Sequence, residues 1–220
     1  MAMINEAHIE VRKQARLLIS GEVSSAVEYL WIACHGYGQN VDRFVHKFKD
    51  LDEKHLVVCP EGLSRFYSEG LSGDVAASWM TKRDRVREIE DHSYYIQKVY
   101  EKYRALCPNA KIILFGFSQG TATICRWFNR EQPKADQLIM WAGSIPPDLN
   151  IKAEEDPFLN IPMHFVYGTE DIYIDEKNLV KLYGLFDSYG LHHIKKHKFE
   201  GKHTVHRPTL MKLFKEEIES

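Results

Sequence analysis

The stretch from Ile112 to Phe128 changes its period at a single point, and that switch limits the folds open to the whole chain. Ile112-Ile113-Leu114-Phe115 is an unbroken apolar run, the pattern of a strand covered on both faces. Ile124, Trp127 and Phe128 then recur at helical spacing. Between the two lies Gly116-Phe117-Ser118-Gln119-Gly120, a G-x-S-x-G. A buried strand that feeds a helix through so tight a turn belongs in a mostly parallel sheet with helices on its faces.

The rest of the chain repeats that alternation. Tyr29-Leu30-Trp31-Ile32-Ala33-Cys34 reads as a buried strand, and Val41, Phe44, Val45 and Phe48 read as one helix face. Leu56-Val57-Val58-Cys59 is the next strand. Ile96, Val99, Tyr100 and Tyr103 form a helix face that ends near Cys107-Pro108. Leu138 to Trp141 and Met163 to Tyr167 are further strands, and residues 194 to 199 a more polar, edge-like one. Leu179, Leu182, Tyr183 and Phe186 mark another helix, and Leu210, Leu213 and Phe214 the last. At the start, Ile9 and Val11, then Ala15, Leu17 and Ile19, alternate with polar residues and predict an antiparallel hairpin. Residues 61 to 87 are rich in Gly and Ser without a lasting period and predict a long loop, a feature that is usually functional. With no repeat and no flexible linker, residues 1–220 read as one α/β domain.

Composition excludes several classes of function. Hydrophobic residues at 44% and a net charge of −2 are the values of a folded globular chain. The balanced charge offers no field for nucleic acid. No apolar run reaches the ~18 residues that span a membrane, and the N-terminus lacks a secretory signal pattern. Cys34, Cys59, Cys107 and Cys125 form no C-x-x-C pair and read as buried free thiols of a cytoplasmic protein.

Chemistry is expected at the C-terminal ends of the parallel strands. A serine on a strained strand-to-helix turn projects its oxygen clear of the backbone. The hydroxyl is a weak nucleophile, so it needs a histidine base, and the histidine needs a carboxylate to fix its tautomer. On such a sheet the order is Ser, acid, His. After Ser118, the loop Gly168-Thr169-Glu170-Asp171 follows a strand and supplies Asp171, with Glu170 and Asp175 as competitors. The loop Glu200-Gly201-Lys202-His203 follows the last strand and supplies His203, with His206 as its nearest rival. Two backbone N–H groups should face the oxyanion of an acyl-transfer intermediate. Gln119, next to the serine, gives one. The loop His35-Gly36-Tyr37-Gly38-Gln39-Asn40 gives the other, or is simply a turn capped by Asn40. The histidines at 192, 193, 197, 203 and 206 lack the spacing of a metal site, and this chemistry calls for neither a metal nor an organic cofactor.

Together these residues resemble the phospholipase/carboxylesterase family of α/β-hydrolases, which includes carboxylesterases, lysophospholipases and acyl-protein thioesterases. The matching pieces run in family order: H-G-Y-G at 35–38, P-E-G at 60–62, S-W at 78–79, G-F-S-Q-G at 116–120, G-T-E-D at 168–171 and G-K-H at 201–203. The resemblance implies an α/β-hydrolase fold, a triad of Ser118, Asp171 and His203, and oxyanion donors at the N–H groups of Tyr37 and Gln119. It implies a serine esterase acting on small-molecule carboxylic esters, of small to medium acyl chains or of lysophospholipid type. A thioesterase or peptidase on the same triad is the alternative, or a binding module without catalysis. The family commonly carries Leu-Gly-Asp where this chain has Tyr37-Gly38-Gln39, and often Trp-Phe where it has Trp79-Met80; both departures bear on acyl preference. Only residues 142 to 162 separate two strands where a cap domain could enter, so an open, shallow site is expected. Phe66, Trp79 and Met80 in the long loop are the candidate wall of an acyl groove, or Trp79 simply anchors that loop to the core. The basic run Lys82, Arg83, Arg85 and Arg87 reads as a solvated face, and more weakly as a holder of an anionic leaving group. The number of subunits is not legible in the sequence.

Overall fold

The computed structural model describes residues 3–151 and 156–219. Its centre is a seven-stranded sheet. The strands are β1 (Leu17–Ser20), β2 (Tyr29–Cys34), β3 (His55–Pro60), β6 (Lys111–Phe117), β7 (Gln137–Trp141), β8 (Met163–Gly168) and β9 (Lys195–Phe199), in the order β1-β3-β2-β6-β7-β8-β9. β4 (Ser64–Glu69) and β5 (Ser72–Ser78) form a separate two-stranded sheet. All neighbours in the large sheet are parallel except β1, which runs antiparallel to β3 with Leu17 opposite Pro60.

Side chains of β2 divide by the two-residue period of a strand. Leu30, Ile32 and Cys34 enter one core, with Ile96 and Val99 of α2 (Arg85–Leu106), Ile124 and Trp127 of α3 (Gln119–Glu131), and Phe186 of α5 (Glu176–Ser188). Tyr29, Trp31 and Ala33 enter the other, with Phe44 of α1 (Val41–Phe44) and Leu210 and Leu213 of α6 (Arg207–Leu213). Burial on both faces explains why these strands are apolar throughout. The cysteines are free and buried, and burial pushes the thiols of Cys34, Cys59 and Cys125 up.

Two expectations need correction. The N-terminal strand is antiparallel, but its partner is β3 rather than residues 9–11. Ile9 and Val11 are exposed, at 87% and 82%, in a segment without regular structure. The all-buried β3 offers Leu17–Ser20 a better partner than a short run with charges on both sides. Residues 61 to 87 are not an irregular loop, since they hold the β4–β5 hairpin. Its two-residue turn has Gly70 at φ 75°, which glycine allows without strain. Every residue of β4 is exposed, so no burial pattern marks it in the sequence.

Between β7 and β8 the described residues contain one short helix, α4 (Pro157–Asn160), and no cap domain. Among the described residues, no helix is long and apolar enough to cross a membrane.

Three histidines are held neutral by burial. Desolvation lowers His55 and His164 from 6.5 to about 4 and His92 to about 3. The unfolded chain therefore binds more protons than the folded one between pH ~6.5 and ~4, so stability falls as pH falls through that window. A melting-temperature series should decline from pH 7 to pH 4.5. Both ring nitrogens of His92 lack a hydrogen-bond partner among the described residues, and His92→Leu should make that decline shallower.

Candidate active site

The turn between β6 and α3 places Ser118 at φ 53° and ψ −118°, a region costly for a residue with a side chain. Tight packing holds it there. A Cβ on Gly120 would lie 2.1 Å from the Cys34 carbonyl oxygen, and one on Gly116 would lie 2.5 Å from the Thr121 Cα. The Ser118 N–H donates to the Trp141 carbonyl at 2.8 Å, and the Thr121 hydroxyl donates to the Gly116 carbonyl at 2.8 Å. The serine is half-buried at the sheet's C-terminal edge.

Asp171 and His203 come from the loops after β8 and β9, and the structure brings them together. Asp171 Oδ2 lies 2.7 Å from His203 Nδ1, and its Oδ1 accepts the Tyr173 N–H at 2.9 Å. The carboxylate is buried, at 4% exposure. An ionised partner at Nδ1 favours the tautomer that leaves Nε2 free to accept a proton. Backbone bonds join the two loops: the Thr169 N–H donates to the Phe199 carbonyl and the Glu170 N–H to the Gly201 carbonyl, both at 2.9 Å. The imidazole packs against Phe117, the residue before the serine, with ring centroids 4.9 Å apart, and against Tyr173 at 4.7 Å. The competitors stand apart from this pair. Asp175 caps α5 by accepting the Asn178 N–H at 2.8 Å, and Glu170 is exposed. His206 stacks on Phe199 and lies 2.8 Å from the Thr209 hydroxyl.

The second candidate oxyanion loop follows β2. The Gly36 N–H donates to Gln39 Oε1 and the Gly38 N–H to the Ala77 carbonyl. The Tyr37 N–H has no acceptor among the described residues. Gln119 is the first residue of α3, so its N–H has no intrahelical acceptor.

The sequence reading missed three side chains that shape this region. His35 is fully buried; its Nδ1 lies 2.7 Å from the Gly36 carbonyl and its Nε2 accepts the Gly62 N–H at 2.9 Å. This pairing requires a neutral ring, and burial lowers its pKa. Glu61 is buried between Arg65 at 2.5 Å and Arg16 at 3.3 Å. The Gln119 side chain accepts from the Trp79 N–H at 3.1 Å and donates to the Met80 carbonyl at 2.8 Å, pinning the end of β5 to α3. The H-G, P-E-G and G-F-S-Q-G motifs pointed to these positions, but not to the bonds they make.

The expected groove wall divides. Trp79 is 1% exposed, and its indole N–H donates to the His35 carbonyl at 2.8 Å. It anchors the hairpin to the core, the second of the two readings its position in the sequence left open, and does not form the wall. Phe66 is 36% exposed and packs on Tyr37 at 5.5 Å. Met80 is half-buried, its sulfur 3.4 Å from the Arg126 guanidinium.

A family model described as phospholipase/carboxylesterase matches residues 22–219. The chain belongs to this family of α/β-hydrolases. Among solved structures it is similar to acyl-protein thioesterase 2 from Zea mays, at TM-score 0.71 and 15% identity over 92% of this chain and 97% of that one. It is also similar to a phospholipase/carboxylesterase from Dyadobacter fermentans, at TM-score 0.66 and 15% identity over 94% and 98%. The carboxylesterase of Bacillus cereus aligns at TM-score 0.65 and 11% identity over 91% and 92%. At these identities the likeness is one of fold. No curated protein sequence matches the chain significantly.

The Gln119 clamp is testable. Gln119→Ala removes two bonds to buried or half-buried backbone groups and should cost about 1–3 kcal/mol. A melting curve should shift down by several degrees, at ~2–4 °C per kcal/mol for a chain of this size.

Proposed function

We propose that the chain is a serine esterase that hydrolyses small-molecule carboxylic esters through an acyl-enzyme. The observation that carries this reading is the bond between buried Asp171 and His203, on loops beside a strained strand-to-helix turn that presents Ser118. Ser118 Oγ attacks the acyl carbonyl while His203 Nε2 takes its proton. Asp171 holds the imidazole by Nδ1 and stabilises its charge. The carbonyl oxygen becomes an oxyanion, received by the N–H groups of Tyr37 and Gln119. The tetrahedral adduct collapses, the bond to the leaving oxygen breaks, and His203 gives that oxygen the proton. Water then repeats the sequence on the acyl-serine and releases the acid.

A thioester is the second substrate class, because the same steps expel a thiol and the maize relative of similar fold is an acyl-protein thioesterase. Rates on matched aryl esters and thioesters would rank the two.

The reading is tested with a fluorophosphonate probe and an aryl butyrate. The native protein should be labelled and should turn over the ester. Ser118→Ala should lose labelling and at least ~10⁴-fold in kcat, and adding His203→Ala should cost little more, since the triad acts as a unit. Asp171→Asn should lose on the order of 10³- to 10⁴-fold, with Asp175→Asn near native. Full turnover by Ser118→Ala would refute the proposal.

A further inference from the structure

A cleft of about 320 Å³ lies between α1 and the β4–β5 hairpin, a volume suited to a small ligand group. Gly38 and Gln39 of the candidate oxyanion loop form one side, and Ser68 and Asp74 of the hairpin form the other. Arg43 and Lys47, one helical turn apart in sequence, supply its cations. Their situations differ. Arg43 is paired with Asp74 at 2.5 Å, so together they carry no net charge. Lys47 makes no ion pair among the described residues; its ammonium donates to the Thr204 hydroxyl at 3.4 Å. Thr204 follows His203, and its carbonyl is fixed by the Trp141 indole N–H at 2.8 Å. The cleft is thus lined by the oxyanion loop at one end, and Lys47, which also lines it, reaches the loop of the histidine by its bond to Thr204.

This placement has a chemical meaning that rests on the esterase reading. The group that protonates the leaving oxygen must stand beside it, so the leaving group lies on the His203 side of the acyl carbon. There the chain offers a half-buried, unneutralised ammonium facing a cleft. We propose that this cleft is the leaving-group subsite, and that Lys47 selects esters whose alcohol carries a carboxylate or phosphate. The Arg43–Asp74 pair walls the subsite without adding charge. The chemistry is unchanged: ester and water give acid and an anionic alcohol, with Lys47 contacting only the remote anion. The basic run at Lys82–Arg87 is less suited, because Arg85 is committed to Asp148 at 3.0 Å.

The test compares substrates of equal acyl chain. One pair is 4-carboxyphenyl butyrate against 4-carbamoylphenyl butyrate; the other is 1-butyrylglycerol 3-phosphate against 1-butyrylglycerol. The quantity read is the ratio of kcat/KM for the anionic member to that for the neutral one. The native protein should favour the anionic member in at least one pair, and the pair that responds identifies carboxylate or phosphate as the preferred group. That preference should weaken as salt rises. Lys47→Met should lower the ratio about tenfold, the worth of one charge-assisted hydrogen bond, and Lys47→Arg should restore part of it. Arg83→Gln, in the exposed basic run, should leave the ratio at its native value. A native ratio near unity in both pairs would overturn the proposal, as would a ratio unmoved by Lys47→Met or lost with Arg83→Gln. If the native protein hydrolyses none of the four esters, the esterase reading itself fails.

Discussion

The tightest constraint in the molecule is the contact between the start of α3 and the end of β2. No side chain can stand between Gly120 and the Cys34 carbonyl. Because the helix is pressed onto that strand, the turn before it must be short and its backbone left-handed at Ser118. Because β2 ends under the helix, the loop after it, His35 to Asn40, starts beside the serine. Two strands that are neighbours in space but far apart in sequence thereby deliver a hydroxyl and a turn of backbone N–H groups to the same place.

Polar bonds then extend that arrangement outward in a chain. The buried His35 ring ties the loop after β2 to Gly62 after β3. The His35 carbonyl takes the Trp79 indole N–H, and Gln119 takes the Trp79 backbone N–H. The hairpin is fastened from both sides to the two segments that flank Ser118. Neutral groups make these bonds, so they carry no desolvation penalty of the kind a buried ion pair would impose. Charge enters at Glu61, which is buried next to Gly62 and paired with two half-exposed arginines. On the far side, the loops after β8 and β9 are laced by backbone bonds, which fix the Asp171–His203 geometry without relying on long side chains.

Much of this was legible because burial on both faces writes a strand as an unbroken apolar run and a helix as a 3.6-residue period. β2, β3, β6, β7 and β8 were readable for that reason, and the loops after β6 and β8 located Ser118 and Asp171 as residues to examine; His203 was located by the loop after the more polar β9. The hairpin at 64–78 was not readable. All of β4 faces solvent, so its pairing depends on a partner that leaves no mark in its own residues. Trp79 stayed undecided for the opposite reason: a large aromatic in an apparently irregular segment can be a ligand contact or a core anchor until the hairpin carries it into the core. The cleft beside Lys47 was equally hidden, since it joins Arg43 and Lys47 to Ser68 and Asp74 only through the crossing of distant segments.

The conformation of Ser118 has an implication for how the sequence itself was shaped. At a positive φ, glycine is the residue of lowest conformational energy, so this position would gain stability by losing its side chain. Folding alone would favour glycine here, so the chain carries a serine side chain at this turn at a cost in stability.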